Sequence, residues 1–103
     1  MVEVTATYDF FPNIDQQAYG ALAKRVINAL LKAPGFVELR ANRNLMASPQ
    51  VRATYVFQTM ADWANFVESA EYRALDTEFR RFVTNLKVDI WGPSPVVPEP
   101  IRP

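Results

Sequence analysis

The chain has 103 residues, half of them hydrophobic, and its 11 basic side chains are balanced by 11 acidic ones. This length predicts one domain with a small core, and the zero net charge argues against nucleic acid and anionic membranes as partners. The absence of cysteine and histidine excludes disulfides, thiolate catalysis, cysteine-based metal sites and the commonest general base at neutral pH. We expect a cytoplasmic protein, because the sequence shows neither a leader pattern nor an apolar run of membrane-spanning length.

The first part of the chain predicts a strand, a helix and a second strand. Apolar and polar residues alternate from Val2 to Phe10, as in a strand with one buried face. Asn13 or Asp15 can cap the amphipathic helix that follows. Pro34-Gly35 ends that helix, and Phe36 to Arg43 predicts the second strand.

Gly20 is the unusual residue of this helix, because glycine in a helix interior costs about 1 kcal/mol relative to alanine. It either permits a close approach to the sheet or to a ligand, or it is tolerated without a role. The sequence leaves both interpretations open.

The stretch from Gln50 to Val83 combines a strand with a bent helix. Its first eight residues alternate as a third strand, and a short polar connection at 44–49 places them in a hairpin with the second strand. Thr59 and Asp62 have the spacing of a capping box, so the helix begins near residue 60. This helical stretch has two apolar faces, one that includes Val67 and a second from residue 72 to 83. At about 100° per residue, residue 72 lies about 140° around the helix axis from Val67. The helix must therefore bend, and we expect Ser69 to cap its second half.

A fourth strand is predicted from Thr84 to Trp91, with a proline-rich tail after it. We therefore predict a domain over residues 1–92 and an extended or disordered tail over 93–103, which carries five of the eight prolines. The order strand, helix, strand, strand, bent helix, strand predicts an α+β, ferredoxin-like fold. In it, helices cover one face of a four-stranded antiparallel sheet.

The other face of that sheet is predicted to be polar. Eleven residues would share it: Glu3, Thr5, Thr7, Glu38, Arg40, Asn42, Arg52, Thr54, Lys87, Asp89 and Trp91. Either it is a solvated face, or two sheets face one another across a twofold axis in a homodimer. We expect the homodimer, because the sheet edges are otherwise unprotected and the tail is long enough to strap onto a partner.

Several segments resemble the antibiotic-biosynthesis-monooxygenase family of dimeric α+β barrels. The resembling residues are Ala33 to Phe36, Val56-Phe57, Trp63, Phe66, Ser69 and Glu71 to Leu75. The resemblance covers most of the chain up to about residue 91 and implies the ferredoxin-like, dimeric barrel fold. The family includes cofactor-free monooxygenases, quinol oxygenases, haem-degrading enzymes and members without a known role.

Most of the functional residues that the resemblance implies are absent from this chain. Where the haem-degrading branch has Trp and the His that ligates iron, the chain has Phe66 and Asp76. Where the cofactor-free branch has Asn, Trp and Tyr, the chain has Asp62, Phe66 and Tyr72, so only the tyrosine is retained, with Trp63 one turn from the tryptophan position. We therefore expect no haem, no metal and no other cofactor.

The reaction that the resemblance implies needs only a few protein groups. A deprotonated anthrone or hydroquinone can pass an electron directly to dioxygen, so a dry aromatic pocket with a proton acceptor and donors for the anion suffices. We expect Tyr72 to orient the substrate oxygen and Asp62 or Asp76 to take the proton. The expected ligand-binding residues are Tyr8, Tyr55, Phe57, Trp63, Phe66 and Phe79. Each residue also has a purely structural interpretation: core packing for the aromatic side chains, helix capping for Asp62 and an i,i+4 ion pair for Asp76.

Two functions follow as hypotheses. The first is a small cofactor-independent monooxygenase acting on an anthrone- or quinol-like substrate. The alternative is a non-catalytic dimeric protein of the same fold that binds a small aromatic ligand or is associated with stress. A cavity lined by polar groups would favour the first, and an interior filled by side chains would favour the second.

Overall fold

The computed structural model describes residues 1–103. Its elements are β1 (Val2–Phe10), α1 (Gln16–Lys32), β2 (Phe36–Arg43), β3 (Val51–Phe57), α2 (Met60–Glu68), α3 (Ala70–Phe79) and β4 (Val83–Trp91). The four strands form one sheet in the order β2-β3-β1-β4, and every neighbouring pair is antiparallel. This is the α+β, ferredoxin-like fold that the sequence predicts. None of the helices combines the length and the hydropathy that a membrane span requires.

The start of α1 is set by Asp15. Its Oδ1 accepts hydrogen bonds from the backbone N–H groups of Gln17 and Ala18 at 3.0 and 3.1 Å. Asn13, the other predicted cap, instead adopts a left-handed conformation with φ of 60° in the preceding turn. Asp15 therefore satisfies two of the four N–H groups that a helix N-terminus leaves unpaired.

Ser69 separates α2 from α3, as predicted. Its Oγ–H donates to the carbonyl oxygen of Phe66 at 2.7 Å, and the same oxygen accepts from the N–H of Tyr72 at 3.1 Å. One side chain thus ends one helix and caps the next, and the bend lets both apolar faces meet the sheet.

The predicted extension of the second helix to Val83 is wrong. The helix α3 ends at Phe79, a turn follows with a hydrogen bond from the N–H of Phe82 to the carbonyl of Phe79, and Val83 already pairs with Phe10 in the sheet. Apolar spacing of three and four residues is also satisfied by such a turn, so it could not locate the end of the helix.

The helices and the inner face of the sheet, which is the face they cover, enclose the main core. Its completely buried side chains are Val4, Leu30 and Phe57. Further buried members are Leu22, Ala29, Trp63, Phe66 and Leu75. Every element except the edge strands β2 and β4 therefore contributes a buried side chain to this core.

The outer face of the sheet carries the polar residues that the sequence places there. Thr5 lies opposite Thr54 on one side and Asp89 on the other, so these three residues share the outer face as predicted. Arg40 forms ion pairs with both Glu3 and Glu38. Most of the face is exposed, but Thr54 on a central strand is buried.

The tail forms no helix or strand and runs beside the outer face. Its residues Val97 to Pro100 line a groove together with Val56 and Arg40 of the sheet. Just before the tail, Trp91 at the end of β4 donates from Nε1 to Oγ1 of Thr5 at 3.0 Å. One end of the outer face is thus bordered by the chain's own C-terminal segment.

Candidate functional site

A cavity of about 80 Å³ lies between the inner face of the sheet and α3; we name it the central cavity. Its lining residues are Val4, Ala6, Val26, Tyr55, Trp63, Tyr72, Leu75, Asp76, Phe79, Arg80, Leu86 and Val88. They come from six elements, and ten of the twelve are hydrophobic or aromatic. The cavity opens towards β4, where Val88 is half exposed.

Two tyrosine hydroxyls are the polar groups of the interior wall. Neither Tyr55 nor Tyr72 forms a side-chain hydrogen bond within the protein, yet no fully buried polar atom is left without a partner. Both hydroxyl oxygens are therefore accessible, and both residues line the cavity, so each can donate a hydrogen bond to a ligand oxygen.

These hydroxyls stay protonated at neutral pH. Burial is the main cause that raises the pKa of Tyr55, and the neighbouring Tyr72 adds to it. Burial likewise raises the pKa of Tyr72, followed by the negative charge of Asp76, whereas Arg80 lowers it. Both groups are consequently hydrogen-bond donors and not bases.

The charged residues of the cavity lie at its rim, one turn apart on the C-terminal part of α3. Oδ2 of Asp76 accepts from Nε of Arg80 at 2.9 Å. The Asp76 side chain is 28% exposed, and that of Arg80 is 61% exposed. The carboxylate is therefore the one potential base that borders the cavity.

The structure brings five of the nine predicted site residues to the central cavity. They are Tyr55, Trp63, Tyr72, Asp76 and Phe79. Their rings lie close together: the centroid of Trp63 is 5.7 Å from that of Tyr55 and 6.5 Å from that of Tyr72.

Three of the other predicted residues lie elsewhere in the interior. Phe57 and Phe66 are buried in the core, where their rings pack against Trp63 with centroid separations of 5.6 and 6.1 Å. They support the cavity wall from behind. Tyr8 lies on the far side of Phe79, and its hydroxyl is hydrogen-bonded to that of Tyr19 at 2.7 Å.

Asp62, the remaining predicted residue, does not line the central cavity. Its Oδ2 accepts from the hydroxyl of Thr59 at 2.9 Å, and its N–H donates to the same hydroxyl oxygen at 3.1 Å. The carboxylate also lies against Gly35, where an added Cβ would approach it to 2.2 Å. Asp62 is thus placed for helix capping and close packing.

Sequence reasoning missed the aliphatic part of the lining. Leu86 and Val88 lie in the predicted fourth strand, and both line the cavity because the helices leave the edge strand β4 partly uncovered. Arg80 was considered only as the ion-pair partner of Asp76. The alternation of apolar residues in β4 was the available signal, but it does not tell which of them remain uncovered.

A second cavity, of about 140 Å³, lies between α1 and the strands β2 and β3; we name it the α1 cavity. All of its lining residues are hydrophobic or aromatic, and it shares Val26, Tyr55 and Phe79 with the central cavity. The two cavities therefore adjoin. No group of three or more Asp or Glu side chains is arranged to hold a metal ion.

Comparison with known proteins shows which fold this is. No protein-family model and no curated protein matches the sequence. The crystal structure of SnoaB, a cofactor-independent oxygenase from Streptomyces nogalater, superimposes with a TM-score of 0.77 at 13% identity, over 95% of this chain and 97% of that one. A Nitrosomonas europaea protein presumed to be an antibiotic biosynthesis monooxygenase gives a TM-score of 0.73 at 15% identity, over 89% and 97% of the two chains.

Another enzyme with the same fold catalyses a different reaction. A hydroxynitrile lyase from Passiflora edulis gives a TM-score of 0.75 at 18% identity and covers 87% of this chain and 90% of its own. The fold alone therefore does not select the reaction. In architecture, this chain has the antibiotic-biosynthesis-monooxygenase-like fold that it shares with SnoaB.

Proposed function

We propose that the protein is a small cofactor-independent monooxygenase acting on an aromatic, anthrone- or quinol-like substrate. The observation that carries the proposal is the central cavity itself. It is an aromatic interior with two protonated hydroxyls free to bind a ligand oxygen and one carboxylate at the rim. SnoaB, an oxygenase without a cofactor, has the same fold.

The first step is the removal of a proton from the substrate. Asp76 takes the proton, and the hydroxyls of Tyr55 and Tyr72 donate hydrogen bonds to the oxygen that becomes negative. Because the surroundings are apolar, such donors stabilise the anion more than water would. The anion is the electron-rich form that reacts with dioxygen.

The oxidation then uses the substrate as its own reductant. The anion passes one electron to dioxygen, and the resulting radical and superoxide combine to form a C–O bond. The peroxide takes a proton from Asp76, and the O–O bond breaks as the second hydrogen leaves the same carbon as a proton. For a methylene carbon, such as that of an anthrone, one methylene group and one dioxygen molecule thus give one carbonyl group and one water molecule. For a hydroquinone, the first proton comes from a hydroxyl group and the second from the ring carbon that forms the C–O bond, so one hydroquinone and one dioxygen molecule give one hydroxyquinone and one water molecule.

The cavity volume favours a small ring system. Its value of about 80 Å³ is below the roughly 150 Å³ of an apolar cavity known to hold benzene. A ligand ring must therefore extend into the mouth over Leu86 and Val88. We expect single-ring quinols to be better substrates than three-ring anthrones.

The test is oxygen consumption by the purified protein with hydroquinones and anthrones and with no added cofactor. Asp76→Asn removes the base and breaks the ion pair with Arg80, whereas Arg80→Gln breaks the same pair and keeps the carboxylate. We expect at least a hundredfold loss of kcat in Asp76→Asn, because general bases contribute about 10²- to 10⁴-fold. Arg80→Gln should retain most of its activity.

Two results would contradict the proposal. One is the absence of oxygen uptake with every member of the panel. The other is an equal loss in both variants, which would make the ion pair, and not the base, the important feature.

The alternative is a non-catalytic protein that binds a small aromatic ligand. The observation in its favour is that Asp76 is already neutralised in part by Arg80 at 2.9 Å. This alternative predicts binding of aromatic alcohols without oxygen uptake, which calorimetry and an oxygen electrode would distinguish.

We also propose that the protein is a homodimer that assembles through the outer face of the sheet. In support, this face is mostly exposed and carries charges of both signs, and Trp91 at its edge is 58% exposed. A twofold axis brings acidic and basic residues of two copies together. The tail, which already borders this face, is near enough to contact the partner.

A further inference from the structure

The inner face of the sheet carries a row of small side chains that crosses three strands. Ala41 of β2 lies opposite Ala53 of β3, and Ala53 lies opposite Ala6 of β1. The row continues to Val88 on β4. Since alanine extends only to Cβ, these positions form a trench below the helices, and larger side chains such as Tyr55 stand in the next row.

The two cavities lie over the two ends of this trench. The central cavity covers the β1 and β4 end, and the α1 cavity covers the β2 and β3 end. Val26 and Phe79, which line both cavities, form the roof between them. The two cavities therefore adjoin along the trench.

The two ends differ in charge. The α1 cavity has no charged lining residue, the hydroxyls of its Tyr8 and Tyr19 are bonded to each other at 2.7 Å, and Tyr55 is shared with the central cavity. It opens at the edge of the sheet between Ile27, which is 41% exposed, and Ala41. Water gains few hydrogen bonds in such a space, so hydrocarbon displaces it readily.

We propose that the α1 cavity is a subsite for a linear hydrocarbon substituent of the aromatic ligand. The inference rests on the proposed function for the position of the ring, which occupies the central cavity with its oxygen at Tyr55 and Tyr72. The substituent then lies along the trench. Ala53 and Ala41 determine this specificity, because a larger side chain at Ala53 closes the path between the cavities and one at Ala41 fills the outer end of the α1 cavity.

The experiment measures binding in the absence of oxygen by calorimetry. The probes are phenol, 4-ethylphenol, 4-butylphenol and 4-hexylphenol. We expect the affinity to rise by about fourfold per methylene, as for hydrocarbon that leaves water. In Ala41→Phe the ring of the new residue fills the mouth of the α1 cavity, so the gain beyond 4-ethylphenol should disappear while phenol binds as before.

The matched control is Ala21→Phe, the same substitution at an exposed position of α1 that lines neither cavity. It should keep the full dependence on chain length. The inference is overturned if the parent shows no such dependence, if no phenol binds, or if Ala41→Phe and the parent behave alike. Since this experiment measures binding and not turnover, a failed oxygen-uptake assay does not change its result. A failed binding series likewise does not change the result of the oxygen-uptake assay.

Discussion

Tyr72 joins two parts of the molecule, since its N–H completes the cap at Ser69 and its hydroxyl borders the central cavity. Replacing it by Phe keeps the ring and removes one oxygen. We expect turnover or ligand affinity to fall by tenfold or more, because the anion loses a donor. The free energy of unfolding should change by at most about 0.5 to 1.5 kcal/mol.

Tyr19→Phe is the control for this substitution. It removes the same atom from the hydroxyl pair with Tyr8, which lines the α1 cavity and not the central one, so the comparison uses ligands without a hydrocarbon substituent. If Tyr72→Phe oxidises and binds its ligand as well as the parent does, the site is misplaced. Steady-state kinetics and chemical denaturation of both variants make the comparison.

Asp9 is the residue whose titration should affect stability most directly. Its carboxylate accepts hydrogen bonds from Ser48 Oγ at 2.5 Å, Gln50 N–H at 2.8 Å and Asn85 Nδ2 at 3.0 Å. The bonds from Ser48 and then Asn85 lower the pKa of Asp9 below its usual value. These hydrogen bonds connect the hairpin loop and the start of β4 to Asp9, which lies where the pairing of β1 with β4 is irregular.

A lowered pKa in the folded state fixes the sign of the pH effect. The stabilisation is complete above the unfolded value of about 3.9 and is lost as the pH falls through the folded pKa. We expect Asp9→Asn to melt at a lower temperature than the parent at neutral pH, with a difference that shrinks below about pH 4. Glu71→Gln, at an exposed ion pair with Lys32 between α1 and α3, should show little difference at any pH. A difference in melting temperature between Asp9→Asn and the parent that stays constant from neutral to acid pH would contradict this account.

At the scale of the elements, Gly20 and Gly35 differ in whether the structure requires a glycine at that position. An added Cβ at Gly20 in α1 would meet nothing within 4 Å, so no close approach to the sheet explains this residue. Gly35, with φ of 80°, lies where a Cβ would collide with Asp62. The first position is therefore open to a better helix former, and the second is not.

We expect Gly20→Ala to raise the free energy of unfolding by about 0.5 to 1 kcal/mol. Gly35→Ala should lower it by more than about 1 kcal/mol, since it combines strain with a clash. Urea denaturation of the two variants and the parent provides the measurement. Equal effects of both substitutions would show that backbone conformation at these positions is not the cause.

At the scale of the whole molecule, the dimer proposal has a direct test. Light scattering at micromolar concentration should give about twice the chain mass of 11.7 kDa. Thr7→Arg places a further positive charge on the outer face beside Arg52 and Lys87, and it should shift the mass towards the monomer. Ala21→Arg, on the exposed side of α1, should leave the mass unchanged. A parent protein with the mass of a single chain would remove the proposal.

The sequence by itself determined the elements and the way in which they connect. Alternation predicted β1 and β2 to the residue, and the offset between two apolar helix faces located the bend at Ser69. These features follow from periods of 2 and 3.6 residues and from side chains that bond their own neighbouring backbone. Both are local properties, so they can be read from a short stretch of chain.

Only the tertiary structure decided which predicted site residues meet. Periodicity assigns Tyr55 and Phe57 to the same strand face, yet one lines a cavity and the other fills the core. The family resemblance likewise made Asp62 and Asp76 equivalent candidates, although only Asp76 lines the central cavity. The reason is that the periodicity of apolar residues predicts which face a side chain lies on, but not which side chains from other elements pack against it. The cavity depends on which large and small side chains from distant parts of the chain are brought together.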